Sequence, residues 1–141
     1  MIKIAVIDGQ GGGIGSLIVK RLKDNFGDRV DVTGLGTNSQ ATVAMLKARA
    51  NKGATGENAI IINSSKVDLI LGSISILMAN SMMGEMTLKM AAAISSSCAK
   101  KILIPLNQEG LDIIGIKRQP LPQMVDELMI EIKKILEEKN V

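Results

Sequence analysis

The chain has 141 residues and a formal net charge of +3, with no His, Trp or Tyr and with Phe26 as its only aromatic residue. Lacking His removes the commonest general base and metal ligand. Lacking aromatics removes the usual stacking platform for single-stranded nucleic acid. The length is that of one domain over residues 1–141, able to bury about 68–70% of its unfolded surface and to fold without disulfides or metal.

The basic residues are dispersed in small groups (Lys20, Arg21, Lys23; Lys47, Arg49, Lys52; Lys100, Lys101; Lys117, Arg118). They read as solvated helix faces and strand ends, so nucleic acid is not an expected partner. Cys98 is the single cysteine. It cannot pair internally, which suits a reducing cytoplasm, and it is expected to pack inside. The N-terminus runs directly into a strand, so no signal peptide is expected. The most apolar stretch, Leu69 to Ala79, is interrupted by Gly72, Ser73 and Ser75. It is shorter than the roughly 20 residues of a membrane span.

In chain order, Ile2–Ile7 is an apolar run broken only by Lys3, the pattern of a strand covered on both faces. A helix follows over about Ile14–Phe26, with Ile14, Leu17, Ile18 and Leu22 on one face. Gly27-Asp28 stops it, and Val30–Leu35 forms the second strand. Asn38 or Ser39 caps a helix reaching about Ala50. Ala59–Ile62 fits either a short helix or a short strand, the strand giving a sheet order 3-2-1-4 in place of 2-1-3-4. Thr55 as a cap favours the helix, and with it Val67–Leu71 is the third strand. A Met-rich helical region covers about Leu77–Ser97, with Gly84 as a candidate break. Lys101–Pro105 and Leu111–Ile116 are expected to pair as a hairpin, because Asn107-Gln108-Glu109-Gly110 is too short for a parallel crossover. Pro120 and Pro122 open a last helix striped by Met124, Val125, Leu128, Met129, Ile132, Ile135 and Leu136. These elements predict an α/β three-layer, Rossmann-like or flavodoxin-like sandwich. Its mostly parallel sheet has the expected order 2-1-3-4-5 and an antiparallel edge strand.

Open parallel sheets bind ligands beyond the carboxyl ends of their strands. The polar and glycine residues gather there: Asp8, Gly9 and Gln10 after the first strand, Thr37 and Asn38 after the second, Gly72 and Ser73 after the third, Asn107 and Gln108 after the fourth. The segment Gly9-Gln10-Gly11-Gly12-Gly13-Ile14-Gly15-Ser16 joins a buried strand to a helix N-terminus. Its backbone N–H groups and the helix dipole are suited to an anion. The dinucleotide fingerprint G-x-G-x-x-G is met only in variant form, Gly11-x-Gly13-x-x-Ser16. The acidic residue expected at the end of the second strand is replaced by Thr37 and Asn38, which weakens NAD. NADP stays open as a ligand, although Arg49 lies a full helix away. The NTPase loop fails, with Gln10 in place of its first glycine and Ser16 in place of its lysine.

Asp8 could brace the loop, orient a ribose, hold Mg²⁺ or act as an acid or base. Glu57 could serve as a general base or cap its helix. These two are the catalytic candidates, and no metal site is expected. Asn80 and Glu85 could line the pocket. Met82, Met83, Met86 and Met90 are expected in a core or subunit interface, which leaves a homo-oligomer open.

Several segments together resemble a family of short bacterial proteins known as domain of unknown function 3842. They are Asp8–Gly15, Leu35-Gly36-Thr37-Asn38, Gly53-Ala54-Thr55-Gly56-Glu57-Asn58-Ala59, Ala79-Asn80-Ser81-Met82 and Ile102–Asn107. The resemblance implies a small Rossmann-like protein, mostly from anaerobic bacteria, and carries no activity with it. The expected function is a cytoplasmic protein binding a nucleotide or other small phosphorylated molecule. A small carboxylate-dependent enzyme and a non-catalytic oligomeric subunit are the alternatives.

Overall fold

A computed structural model of the chain describes residues 1–106 and 110–139. Five parallel strands form one sheet, β1 (Ile2–Asp8), β2 (Val30–Gly36), β3 (Lys52–Thr55), β4 (Leu69–Ser73) and β5 (Lys100–Ile104), in the order β3-β2-β1-β4-β5. The helices are α1 (Gly13–Phe26), α2 (Ser39–Lys47), α3 (Glu57–Asn63), α4 (Leu88–Ser96) and α5 (Leu121–Lys139). Alternation along β1 builds both cores. Ile4 and Val6 pack with Ile18, Leu22, Met45, Val125 and Ile132 on the face covered by α1, α2 and α5. Ala5 and Ile7 pack with Ile60, Ile76, Met86 and Ile94 on the opposite face. Two buried faces explain why β1 reads as a continuous apolar run. The same parity sends the side chain of Asp8 beneath α1.

The three-layer α/β reading holds, and the four strands common to expectation and structure have the expected relative order, β2-β1-β4-β5. The two sheet edges differ. Lys52–Thr55, which carries no expected element, is β3. It is short and largely exposed, and it contains Gly53, where a Cβ would come within 2.8 Å of Thr42 Cγ2 on α2. Asn51 starts this strand by accepting from Val32 N through Oδ1 and donating its own N–H to Val32 O, both at 2.8 Å. Thr55 closes β3 against Thr42, with the two hydroxyls 2.7 Å apart, and the N-cap of α3 is Gly56 at φ 101°.

At the other edge no antiparallel strand forms among the described residues. From Gly110 to Pro120 the chain is irregular apart from an isolated bridge at Leu111. Gly115 adopts φ 87° in the middle of the expected strand, Ile114 is almost fully exposed, and β5 remains the edge. The expected hairpin turn at Asn107–Glu109 lies outside the described residues. Lysines 100 and 101 on β5 place charge at this open edge, where it opposes pairing with another chain.

The Met-rich region is not one helix. A 3₁₀ turn at Ile74–Leu77 leads into it, and a second at Met82–Gly84 interrupts it, before α4 begins behind the cap of Thr87, whose Oγ1 accepts from Met90 N at 3.2 Å. Asn80, Met82, Met83 and Gly84 all have positive φ, so the connection is a left-handed strap that a continuing helix excludes. Met86 and Met90 fill the core, while Met83 is 95% exposed. Cys98, expected to be buried, is exposed between α4 and β5. No helix among the described residues is long and apolar enough to cross a membrane.

Candidate functional site

The loop after β1 is held by Asp8. Its Oδ1 accepts from Gly9 N at 2.8 Å, and its Oδ2 accepts from Gly15 N at 2.7 Å. Both oxygens therefore serve the loop, which is the bracing role. Gly12 N donates to Gly9 O, and Gly12 O accepts from Ser16 N, each at 2.9 Å. Burial is the main influence on the carboxyl of Asp8 and pushes its pKa above the ordinary aspartate value. The Gly15 and Gly9 N–H groups oppose that rise, and the charge of Glu85 adds to it.

The glycines of the loop divide into two sets. At Gly9 a Cβ would lie 2.5 Å from Thr37 Oγ1, at Gly12 it would lie 2.8 Å from Ala41 Cα, and at Gly15 it would lie 2.8 Å from Asp8 Cβ. Packing requires these three. At Gly11 and Gly13 a Cβ would meet nothing within 4 Å. Neither donates its N–H to another group among the described residues. Ile14 packs partly into the core, and Ser16 Oγ donates back to Gly13 O at 3.1 Å. A shallow groove of about 390 Å³ runs beside Gly11 and along α2, lined by Ser39, Gln40, Val43, Ala44 and Lys47.

The end of β2 meets this loop through one carboxylate. Glu85 Oε1 accepts from Gln10 N at 2.8 Å, from Thr37 Oγ1 at 2.7 Å and from Asn38 Nδ2 at 2.7 Å. The Thr37 hydroxyl, followed by the Gln10 N–H, holds the pKa of Glu85 below the ordinary glutamate value. Asn38 also donates from Nδ2 to Gln10 O at 3.0 Å, and its Oδ1 caps α2 by accepting from Ala41 N at 2.9 Å. Asn38→Ala is expected to destabilise the fold by about 1–2 kcal/mol through loss of that cap. Chemical denaturation followed by circular dichroism measures it, since the chain has no Trp or Tyr.

The structure thus gathers Asp8, Gly9–Ser16, Thr37, Asn38 and Glu85 at one rim. Gly72 and Ser73 stand at the end of β4 but face inward. A Cβ at Gly72 would sit 2.8 Å from Ile7 O, and Ser73 Oγ is buried against Ser75 Oγ. Glu57 stands just beyond the end of β3, its Oε2 accepting from Thr87 Oγ1 at 2.7 Å where α3 and α4 begin, and among the described residues no hydrogen bond joins it to Asp8, Thr37, Asn38 or Glu85. Asn80 joins the strap through its backbone, donating to Met86 O at 2.7 Å. Asn107 and Gln108 lie outside the described residues.

Strand order, helices on both faces and a glycine turn between β1 and α1 define a Rossmann-like α/β sandwich. The family model for the domain of unknown function (DUF3842) matches residues 3–137, and the chain belongs to that family. No curated protein and no solved structure matches.

Proposed function

We propose that this chain binds a nucleotide or another small phosphorylated molecule on the loop Gly11–Ser16. The observation that carries this reading is the pair of glycines, Gly11 and Gly13, that packing does not require. A residue without a side chain costs conformational entropy. Placed with an unshared N–H at a helix N-terminus, it gives an anion direct access to the backbone. Asp8 fixes the loop, and Thr37 and Asn38 border it from β2. Asp8 holds the loop through both carboxylate oxygens, and the loop offers a ligand its backbone N–H groups. NADP, NAD and simple nucleotides all carry the required phosphate.

The test is a melting panel read by circular dichroism, with inorganic phosphate, pyrophosphate, ATP, NADH and NADPH. A bound ligand at 100 times its Kd stabilises the fold by about 2.7 kcal/mol, a rise of several degrees. Gly13→Val projects a branched side chain into the open space over the loop, and nothing in the structure collides with its Cβ. It is expected to fold with an unchanged melting temperature and to lose the ligand-induced rise. Absence of a rise with every member of the panel overturns the reading.

A further inference from the structure

We infer that Glu85 is the ribose acceptor of this site, and that the ligand is a dinucleotide of the NAD type with a free 2′-hydroxyl rather than its 2′-phosphorylated counterpart. This rests on the phosphate-loop reading above and specifies the ligand for the same site.

Thr37 and Asn38 at the end of β2 supply no carboxylate of their own, and on sequence alone their presence weakens NAD. Folding places one there from elsewhere in the chain. Glu85 follows the left-handed strap Asn80–Gly84, 48 residues beyond Thr37, and its carboxylate bridges the end of β2 to the glycine loop. That junction is where a sheet of this order holds the ribose next to the pyrophosphate. The carboxylate is fixed from three sides, by a backbone N–H, a hydroxyl and an amide, and all three donors converge on Oε1. Among the described residues no donor reaches Oε2. A carboxylate oxygen accepts hydrogen bonds and donates none. It is therefore complementary to sugar hydroxyls, and it opposes a phosphate brought to the same place.

Gly9 is part of the arrangement. A Cβ there would stand 3.0 Å from Glu85 Oε1, 2.6 Å from Met82 Sδ and 2.5 Å from Thr37 Oγ1, so the bare backbone at position 9 lets these three side chains close over the start of the loop. Strand order, the variant fingerprint Gly11-x-Gly13-x-x-Ser16 and a carboxylate at the β2 end are the three components of a dinucleotide site. Here the third is delivered by the crossover after β4 instead of by β2 itself.

Fluorescence titrations with NADH and NADPH, together with calorimetric titration of pyrophosphate as a probe of the loop alone, test this on the full chain. Wild type is expected to bind NADH at least about tenfold more tightly than NADPH. Glu85→Gln keeps the shape and removes the charge, so the ratio is expected to fall towards one while pyrophosphate binds at least as well as before. Equal affinities in wild type, or a ratio unchanged by Glu85→Gln, overturn the inference. The wild-type ratio needs no variant, so a poorly folding Glu85→Gln leaves that part of the test intact. Pyrophosphate binding without either dinucleotide overturns the ribose assignment and leaves the phosphate loop standing. Failure of all three probes overturns both.

Discussion

Gly12→Ala is expected to lower stability by about 2–5 kcal/mol, the larger of two effects expected in the glycine loop. Gly12 has φ 75°, a conformation that costs an L-residue about 1–2 kcal/mol. The added Cβ would also lie 2.8 Å from Ala41 Cα, 3.0 Å from Ala44 Cβ and 3.1 Å from Ala41 O. Two of those atoms are backbone in α2, so no rotamer change relieves the contact, and overpacking of this kind costs about 1–3 kcal/mol. The N-termini of α1 and α2 would have to separate. That movement pulls on Asn38, which caps α2 and donates to Gln10 O. Gly13→Ala, one residue on, meets open space and is expected to be neutral or to stabilise by about 0.4–1 kcal/mol through the unfolded state. Urea denaturation of the two variants by circular dichroism reads the contrast. Equal midpoints would show that the loop adjusts freely and that the distinction between packed and open glycines is wrong.

What could be read from the sequence follows from where each signal resides. The alternation that makes β1 apolar on both sides is local, as is the stripe along α5, and both elements were legible. So was Asp8 as the loop brace, because a carboxylate at a strand end followed by glycines has N–H groups within reach. β3 was not legible. Four residues, Lys-Gly-Ala-Thr, carry no hydrophobic period, and they become a strand only because β2 offers an edge and α2 lies close above Gly53. The reverse error occurred at Leu111–Ile116, where an apolar run suggested a strand that the structure leaves irregular and partly exposed. Glu85 was visible as a polar residue in an apolar stretch. Its partners Gln10, Thr37 and Asn38 are 75, 48 and 47 residues away, and no local pattern encodes that meeting. The left-handed strap that aims it, Asn80 to Gly84, was equally hidden, since Met82 and Met83 are not residues that advertise positive φ.

Asp8→Ala is expected to cost about 2–4 kcal/mol, because it leaves the N–H groups of Gly9 and Gly15 without their acceptor in a buried place. The cost should depend on pH with a definite sign. Asp8 has its folded pKa raised, by burial above all, against the Gly15 and Gly9 N–H groups and with help from the charge of Glu85. A raised carboxyl pKa means the folded chain binds the proton more tightly than the unfolded chain does. The contribution from Asp8 is therefore fully present below the unfolded value, about 3.9, and is lost as pH rises through the folded pKa. The stability difference between wild type and Asp8→Ala should accordingly be greatest in acid and shrink towards neutrality. Glu85 works in the opposite direction. Its pKa is depressed, chiefly by the Thr37 hydroxyl, so its contribution is present above the ordinary glutamate value and is lost as pH falls through the folded one. Measuring the Asp8→Ala difference in a Glu85→Gln background isolates the first trend and removes the negative charge that reinforces it, so the shrinkage should become smaller but keep its sign. A difference that grows with pH in that background would mean that the N–H groups of Gly9 and Gly15 outweigh burial. Asp8 would then be held as a stabilised anion beneath the loop, and its charge would have to be counted against any phosphate bound above it.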